Sequence, residues 1–171
     1  KVSILDIGTG CGCILLSLLK ELSFARGVGI DISKKAIKVA KKNSINFNLS
    51  CRSKFKVFDL NKYNIGKYDI IVSNPPYIPS KNIKNLTKDI TGYEPINALD
   101  GGVDGFDLIK KVINQSNYLL KSNGLLALEI GYNQYKMVCK LLKTNGFREI
   151  RKVHDYNRNV RCIISTKIRF F

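Results

Sequence analysis

The sequence is short of metal ligands and of negative charge. A single histidine, His154, leaves no means of building a histidine-based metal cluster within the chain. The five cysteines, Cys11, Cys13, Cys51, Cys139 and Cys162, are odd in number, scattered and without a C-x-x-C pair. That argues against a disulfide framework or a zinc site, no metal is expected, and the setting expected is the reducing cytoplasm. No apolar run approaches the roughly 18 residues that a membrane helix needs, so no membrane association is expected. The short run from Cys13 to Leu19 follows a glycine turn rather than a basic stretch, which speaks against a secretory signal. Acidic residues number 13 against 29 basic ones, a formal net charge of +16.

What is present suits one α/β domain. A length of 171 residues allows a proper core, and 44% hydrophobic with 25% charged residues is ordinary for a globular protein. The positive charge invites a nucleic-acid partner. Lysine far outnumbers arginine, however, and asparagine and isoleucine are abundant, which reads equally as low-GC codon usage spread over solvated faces. Direct nucleic-acid binding is therefore admitted but not favoured.

Apolar Val2–Ile7 reads as a strand, followed by Gly8-Thr9-Gly10-Cys11-Gly12 and a helix from Cys13 to Leu22. Strand, glycine turn and helix open a Rossmann-like unit, whose turn lets a ligand approach the backbone. The spacing is G-x-G-x-G rather than the G-x-G-x-x-G of dinucleotide sites. Asp6 at the strand end suits a ligand ammonium, and the free N–H groups at the helix start suit a carboxylate. The methionine part of S-adenosylmethionine carries both. A second strand, Gly27–Asp31, ends in an acid that can take two ribose hydroxyls or cap the helix opened by Ser33. Lys54–Phe58 alternates as a third strand. Asp59 and Leu60 follow it, placed either for an adenine amino group and ring face or simply for a turn.

Tyr68–Ser73 reads as a buried strand that runs into Asn74-Pro75-Pro76-Tyr77. Two prolines fix φ and hold the chain extended, presenting an amide side chain, bare carbonyls and an aromatic ring in fixed relation, unless this is an ordinary turn. Three strands ending in Asp6, Asp31 and Asp59, and a fourth ending in this turn, all point to the ligand edge of an open parallel sheet. The polar stretch from Ile78 to Asp104 reads as a substrate-facing lid. Beyond it come a helix from Phe106 to Leu120 stopped by Asn123-Gly124, a strand Leu125–Ile130, a helix Asn133–Thr144, and two antiparallel strands, Phe147–Val153 and Val160–Ile168.

An Asn-Pro-Pro-Tyr at a strand end marks methyltransferases that modify a planar nitrogen. With Tyr93-Glu94-Pro95, Gly101-Gly102-Val103-Asp104-Gly105, Leu128-Glu129-Ile130-Gly131, Gln134, Asp155 and Arg161, the whole chain resembles the HemK/PrmC family, which methylates the glutamine of peptide-chain release factors. The resemblance implies a Rossmann-like S-adenosylmethionine-dependent methyltransferase fold, α/β, with a seven-stranded mostly parallel sheet and an antiparallel last strand. It implies one catalytic domain over residues 1–171, without the helical N-terminal substrate-recognition domain of the family. It implies transfer from S-adenosylmethionine, giving S-adenosylhomocysteine, to the side-chain amide of the glutamine in the Gly-Gly-Gln motif of a release factor, the expected partner. Asp6, Gly8, Thr9, Gly10, Cys11, Gly12, Asp31, Ile32, Asp59, Leu60 and Asn74 are the expected donor-binding residues. Asn74 and Pro75 would accept the amide hydrogens and Tyr77 would pack on the amide, with Pro76 and Glu94 also facing substrate. Glu94 could equally bond within the lid. Arg161 is expected to be structural, bonding near Asp155, and Asn157 to take the positive φ of a family glycine. Methylation of an exocyclic amino group on a nucleic-acid base, or a non-catalytic binding subunit of the same fold, are the competing readings.

Overall fold

The computed structural model describes residues 1–85 and 95–168. Strand β1 (Ser3–Ile7) is almost wholly buried, and its side chains alternate between two cores. Ile4 faces a cluster with Leu15, Leu19, Ala40 and Phe55, whereas Leu5 and Ile7 face one built around Ile71, Ile113, Leu126 and Ile163. The sheet is thus covered on both faces, as parallel strands require. Helix α1 (Cys13–Glu21) buries Leu15, Leu16 and Leu19. Strand β2 (Arg26–Asp31) accepts it closely because Gly27 has no side chain; a Cβ there would stand 2.3 Å from Leu15 Cδ1. Ser33 caps α2 (Lys34–Asn46), its hydroxyl accepting from the Ala36 amide, before edge strand β3 (Ser53–Val57).

Strand β4 (Tyr68–Ser73) lies beside β1, and a short helix α3 (Ser80–Ile83) follows the reactive turn. Helix α4 (Asp107–Leu119), strand β5 (Leu120–Glu129), helix α5 (Tyr135–Thr144) and strands β6 (Phe147–His154) and β7 (Val160–Lys167) complete the order. The sheet runs β3-β2-β1-β4-β5-β7-β6, and β7 is antiparallel to both of its neighbours. This is the expected seven-stranded arrangement. No helix among the described residues is long and apolar enough to cross a membrane.

Two local expectations are corrected. Asn123-Gly124 does not stop a helix: α4 ends at Leu119, and Asn123 (φ 62°) sits inside β5, where the pairing with β4 shifts register. Burial of Leu120 draws the chain into the sheet at once, and the left-handed Asn absorbs the irregularity. In the turn between β6 and β7 the positive φ falls on Arg158 (61°), not Asn157. There Asp155 fixes the turn, its carboxylate accepting from the Asn159 amide at 2.9 Å.

Candidate active site

The ends of β1, β2 and β4 meet around a cavity of about 780 Å³. Its wall includes Gly8, Gly10, Asp31, Ile32, Asp59, Leu60, Asn74 and Pro76 from the expected site. Pro95, Asn97 and Ala98 of the loop after the reactive turn close another side. Asp6, Thr9, Cys11, Gly12, Pro75 and Tyr77 are not on that wall. Tyr93 and Glu94 lie outside the described residues.

The glycine turn is shaped by backbone conformation. Gly8, Gly10 and Gly12 have φ of 70°, 55° and 84°, a region that costs residues with a Cβ about 1–2 kcal/mol. A Cβ on Gly8 or Gly10 would meet nothing within 4 Å, so those two keep the cavity side open. One on Gly12 would press on Phe55 at 2.9 Å. The Gly8 and Thr9 amides both donate to the Ile30 carbonyl, at 2.9 and 3.0 Å, which moulds the turn onto the end of β2. Asp31 completes that join: Oδ2 accepts from the Gly10 amide at 2.9 Å and Oδ1 from Ser33 at 2.8 Å. Each oxygen retains a lone pair, so the carboxylate can hold the turn and still accept hydroxyls from the cavity. Asp59 caps the turn of Leu60–Lys62 through Oδ1, as the turn reading expects, and also lines the cavity.

Asp6 lies off the cavity wall. It is fully buried behind the turn, where Oδ2 accepts from the Thr9 hydroxyl at 2.6 Å. Its Oδ1 has no hydrogen-bond partner within bonding distance among the described residues. Burial pushes its pKa up to about 6, with the Thr9 hydroxyl and the Leu15 amide pulling the other way. Asp6 thus shapes the turn through Thr9.

The reactive turn is locked at its entrance by Ser73, whose hydroxyl donates to the Ile7 carbonyl at 2.8 Å and ties β4 to β1. Asn74 is exposed on the cavity wall. Among the described residues neither its side chain nor the Pro75 carbonyl has a hydrogen-bond partner; Asn74 faces the cavity, whereas Pro75 is buried just behind it. Tyr77 is half-buried, held at both ends. Its carbonyl accepts from Gln134 Nε2 at 3.1 Å, and its hydroxyl accepts from Arg161 Nη2 at 2.6 Å. Gln134 is itself buried; it also donates to the Gly105 carbonyl and accepts from the Gly131 amide.

Four residues support the turn in ways the sequence reading did not assign to them. Gly101 and Gly105 back the turn at contact distance: a Cβ on Gly101 would lie 2.9 Å from the Tyr77 carbonyl carbon, and one on Gly105 2.5 Å from its oxygen. Gly101 and Gly105 therefore brace the turn, while Pro95, Asn97 and Ala98 face the cavity. Gln134 and Arg161 reach it from elements remote in sequence. The Arg161–Asp155 approach is present at 3.9 Å, yet the tightest contact of Arg161 is Tyr77. The family resemblance marks all four positions, though not this role.

A family model described as a methyltransferase domain matches residues 1–167. The release factor glutamine methyltransferase of Rhodospirillum rubrum is 41% identical over 164 residues, covering 96% of this chain and 50% of that protein. Proteins of the same name from Caulobacter vibrioides and Fusobacterium nucleatum are 39% and 42% identical, over 96% of this chain and 57% and 47% of theirs. The chain thus spans about half the length of these curated relatives. Among solved structures, TrmN from Thermus thermophilus aligns with a TM-score of 0.68 and 21% identity, over 98% of this chain and 44% of that one. Magnesium protoporphyrin IX methyltransferase from Synechocystis aligns at 0.67 and 18%, over 97% and 70%. These structural likenesses speak for the fold.

Proposed function

This chain belongs to the methyltransferase-domain family, and from that we propose that it transfers the methyl group of S-adenosylmethionine to the side-chain amide nitrogen of the glutamine in the Gly-Gly-Gln motif of a peptide-chain release factor. The observation that carries the proposal is the position of Asn74 on the same cavity wall as Gly8, Gly10, Asp31 and Asp59. The donor-binding edge and the reactive turn thereby share one space. The names of the relatives at about 40% identity support glutamine as the acceptor and a release factor as the partner.

The residues fit the donor. The lone pairs left on Asp31 suit ribose hydroxyls, the open Gly8 and Gly10 admit close approach, and Leu60 with Asp59 can receive the adenine. S-adenosylmethionine, when bound, supplies an electrophilic methyl on a sulfonium. The acceptor is a poor nucleophile, because its lone pair is delocalised into the amide carbonyl. Asn74 Oδ1 and the Pro75 carbonyl would each accept one N–H of that amide, aim its lone pair at the methyl, and stabilise positive charge growing on nitrogen. Neither prolyl residue has an N–H to compete.

The setting proposed is the cytoplasm, in keeping with five free cysteines. The competing acceptor is a nucleic-acid base, which the net charge of +16 favours. Labelled S-adenosylmethionine offered to the complete natural protein, with a release factor and separately with total RNA and DNA, distinguishes them. Label in the Gly-Gly-Gln glutamine is expected; label only in nucleic acid would overturn the proposal.

A further inference from the structure

Arg161 is the second residue of β7, which runs antiparallel to β5. Parallel strands bring their ends to the ligand edge of the sheet, and an antiparallel one brings its beginning there. The guanidinium is fixed at that edge: Nη1 donates to the Ile130 carbonyl at 2.9 Å, and the Ile130 amide donates back to the Arg161 carbonyl at 3.0 Å. Nη2 donates to the Tyr77 hydroxyl at 2.6 Å and lies 3.6 Å from Glu129 Oε1, while Nε is 3.9 Å from Asp155 Oδ2. The guanidinium carbon is 5.2 Å from the Tyr77 ring centroid. With the hydroxyl so near, that distance places the cation at the hydroxyl end of the ring and not over a face.

We propose that Arg161 is a positioning residue for methyl transfer, holding Tyr77 by its hydroxyl and so fixing where Asn74 and the Pro75 carbonyl point; the inference rests on the glutamine-methylation reading above. The ion pairs with Glu129 and Asp155 are long and roughly a third exposed, so they orient the guanidinium more than they stabilise the fold. The short, charge-assisted bond to Tyr77 is the strong contact. Arg161 and Gln134 then grip the last residue of the reactive turn at opposite ends, one at the hydroxyl and one at the carbonyl. A planar fork suits this task, since it can bind Ile130 and Tyr77 at once.

The test is a double-mutant cycle in the complete natural protein. Arg161→Gln should lower kcat for transfer to the release factor by about tenfold or more, with S-adenosylmethionine affinity by calorimetry little changed. Tyr77→Phe should lose a similar factor, and the double variant should fall no further than the worse single one. Arg161→Lys, which restores one donor, should recover part of the rate. Additive losses, a loss confined to donor affinity, or a fall in melting temperature without a change in kcat would overturn the inference. If the wild type does not label the factor, the functional proposal fails, and exchange of the Ile78 amide, which is bonded to the Leu99 carbonyl, decides this inference separately. Faster exchange in Arg161→Gln, no faster in the double variant, supports it; unchanged exchange defeats it.

Discussion

Asn74 combines exposure on the cavity wall with an amide that has no partner among the described residues, so its removal tests chemistry with little disturbance of packing. Asn74→Ala is expected to slow transfer by about 10²–10³-fold, the usual cost of losing one preorganised hydrogen-bonding group. Donor affinity should survive, which calorimetry and single-turnover kinetics would show separately. Asp6 gives a prediction of a different kind. Its pKa of about 6 in the fold exceeds the ordinary 3.8, so the folded chain holds this proton more tightly than the unfolded one. The stability Asp6 contributes is then fully present below about pH 4 and is lost as pH rises through about 6. At neutral pH the buried carboxylate costs on the order of 3 kcal/mol. Asp6→Asn should therefore raise the melting temperature of the ligand-free protein near pH 7 and leave it unchanged near pH 4, by scanning calorimetry. An equal shift at both pH values would refute the assignment.

At the scale of elements, the glycine turn separates conformational strain from collision. Gly8→Ala meets only the cost of a left-handed backbone, about 1–2 kcal/mol. Gly12→Ala meets that cost and a clash with Phe55 in the core, and should lose visibly more in urea denaturation. Gly8→Ala, facing the cavity, should weaken the donor more than its stability loss suggests. Equal denaturation midpoints for the two variants would show that the Phe55 contact yields freely. The strands, the strand-end acids and the reactive turn were legible because each is a local pattern: alternation, a terminal polar residue, a proline pair. The supports of the turn were not, because they depend on packing between distant segments. Gly101 and Gly105 look like ordinary loop glycines until the Tyr77 backbone is seen against them. Asn123-Gly124 misled for the same reason, since a turn pair was read locally while the burial of Leu120 decided the outcome.

Over the whole molecule, the positive charge is dispersed. Lys34, Lys35, Lys38, Lys41 and Lys42 are exposed on α2, over the core of Ile4 and Phe55, and Lys136, Lys140 and Lys143 on α5, over the core of Ile71 and Ile163. Opposite faces of the sheet share the excess, which suits non-specific attraction better than a reading groove. Association with random RNA should ignore sequence and weaken by roughly 10³-fold between about 50 and 200 mM salt if some six phosphates are engaged. Fluorescence anisotropy across that range would check it; a flat salt response would point to a dedicated site. The antiparallel course of β7 bears finally on biosynthesis. Tyr77 and its anchor Arg161 lie 84 residues apart, and β7 slots between β5 and β6 although it follows both in chain order. A nascent chain halted on the ribosome before β7 already holds every described residue of the cavity wall, but not the grip on Tyr77. On the proposed chemistry, the reactive turn of a nascent chain thus takes its exact aim only once β7 has been made and paired beside β5.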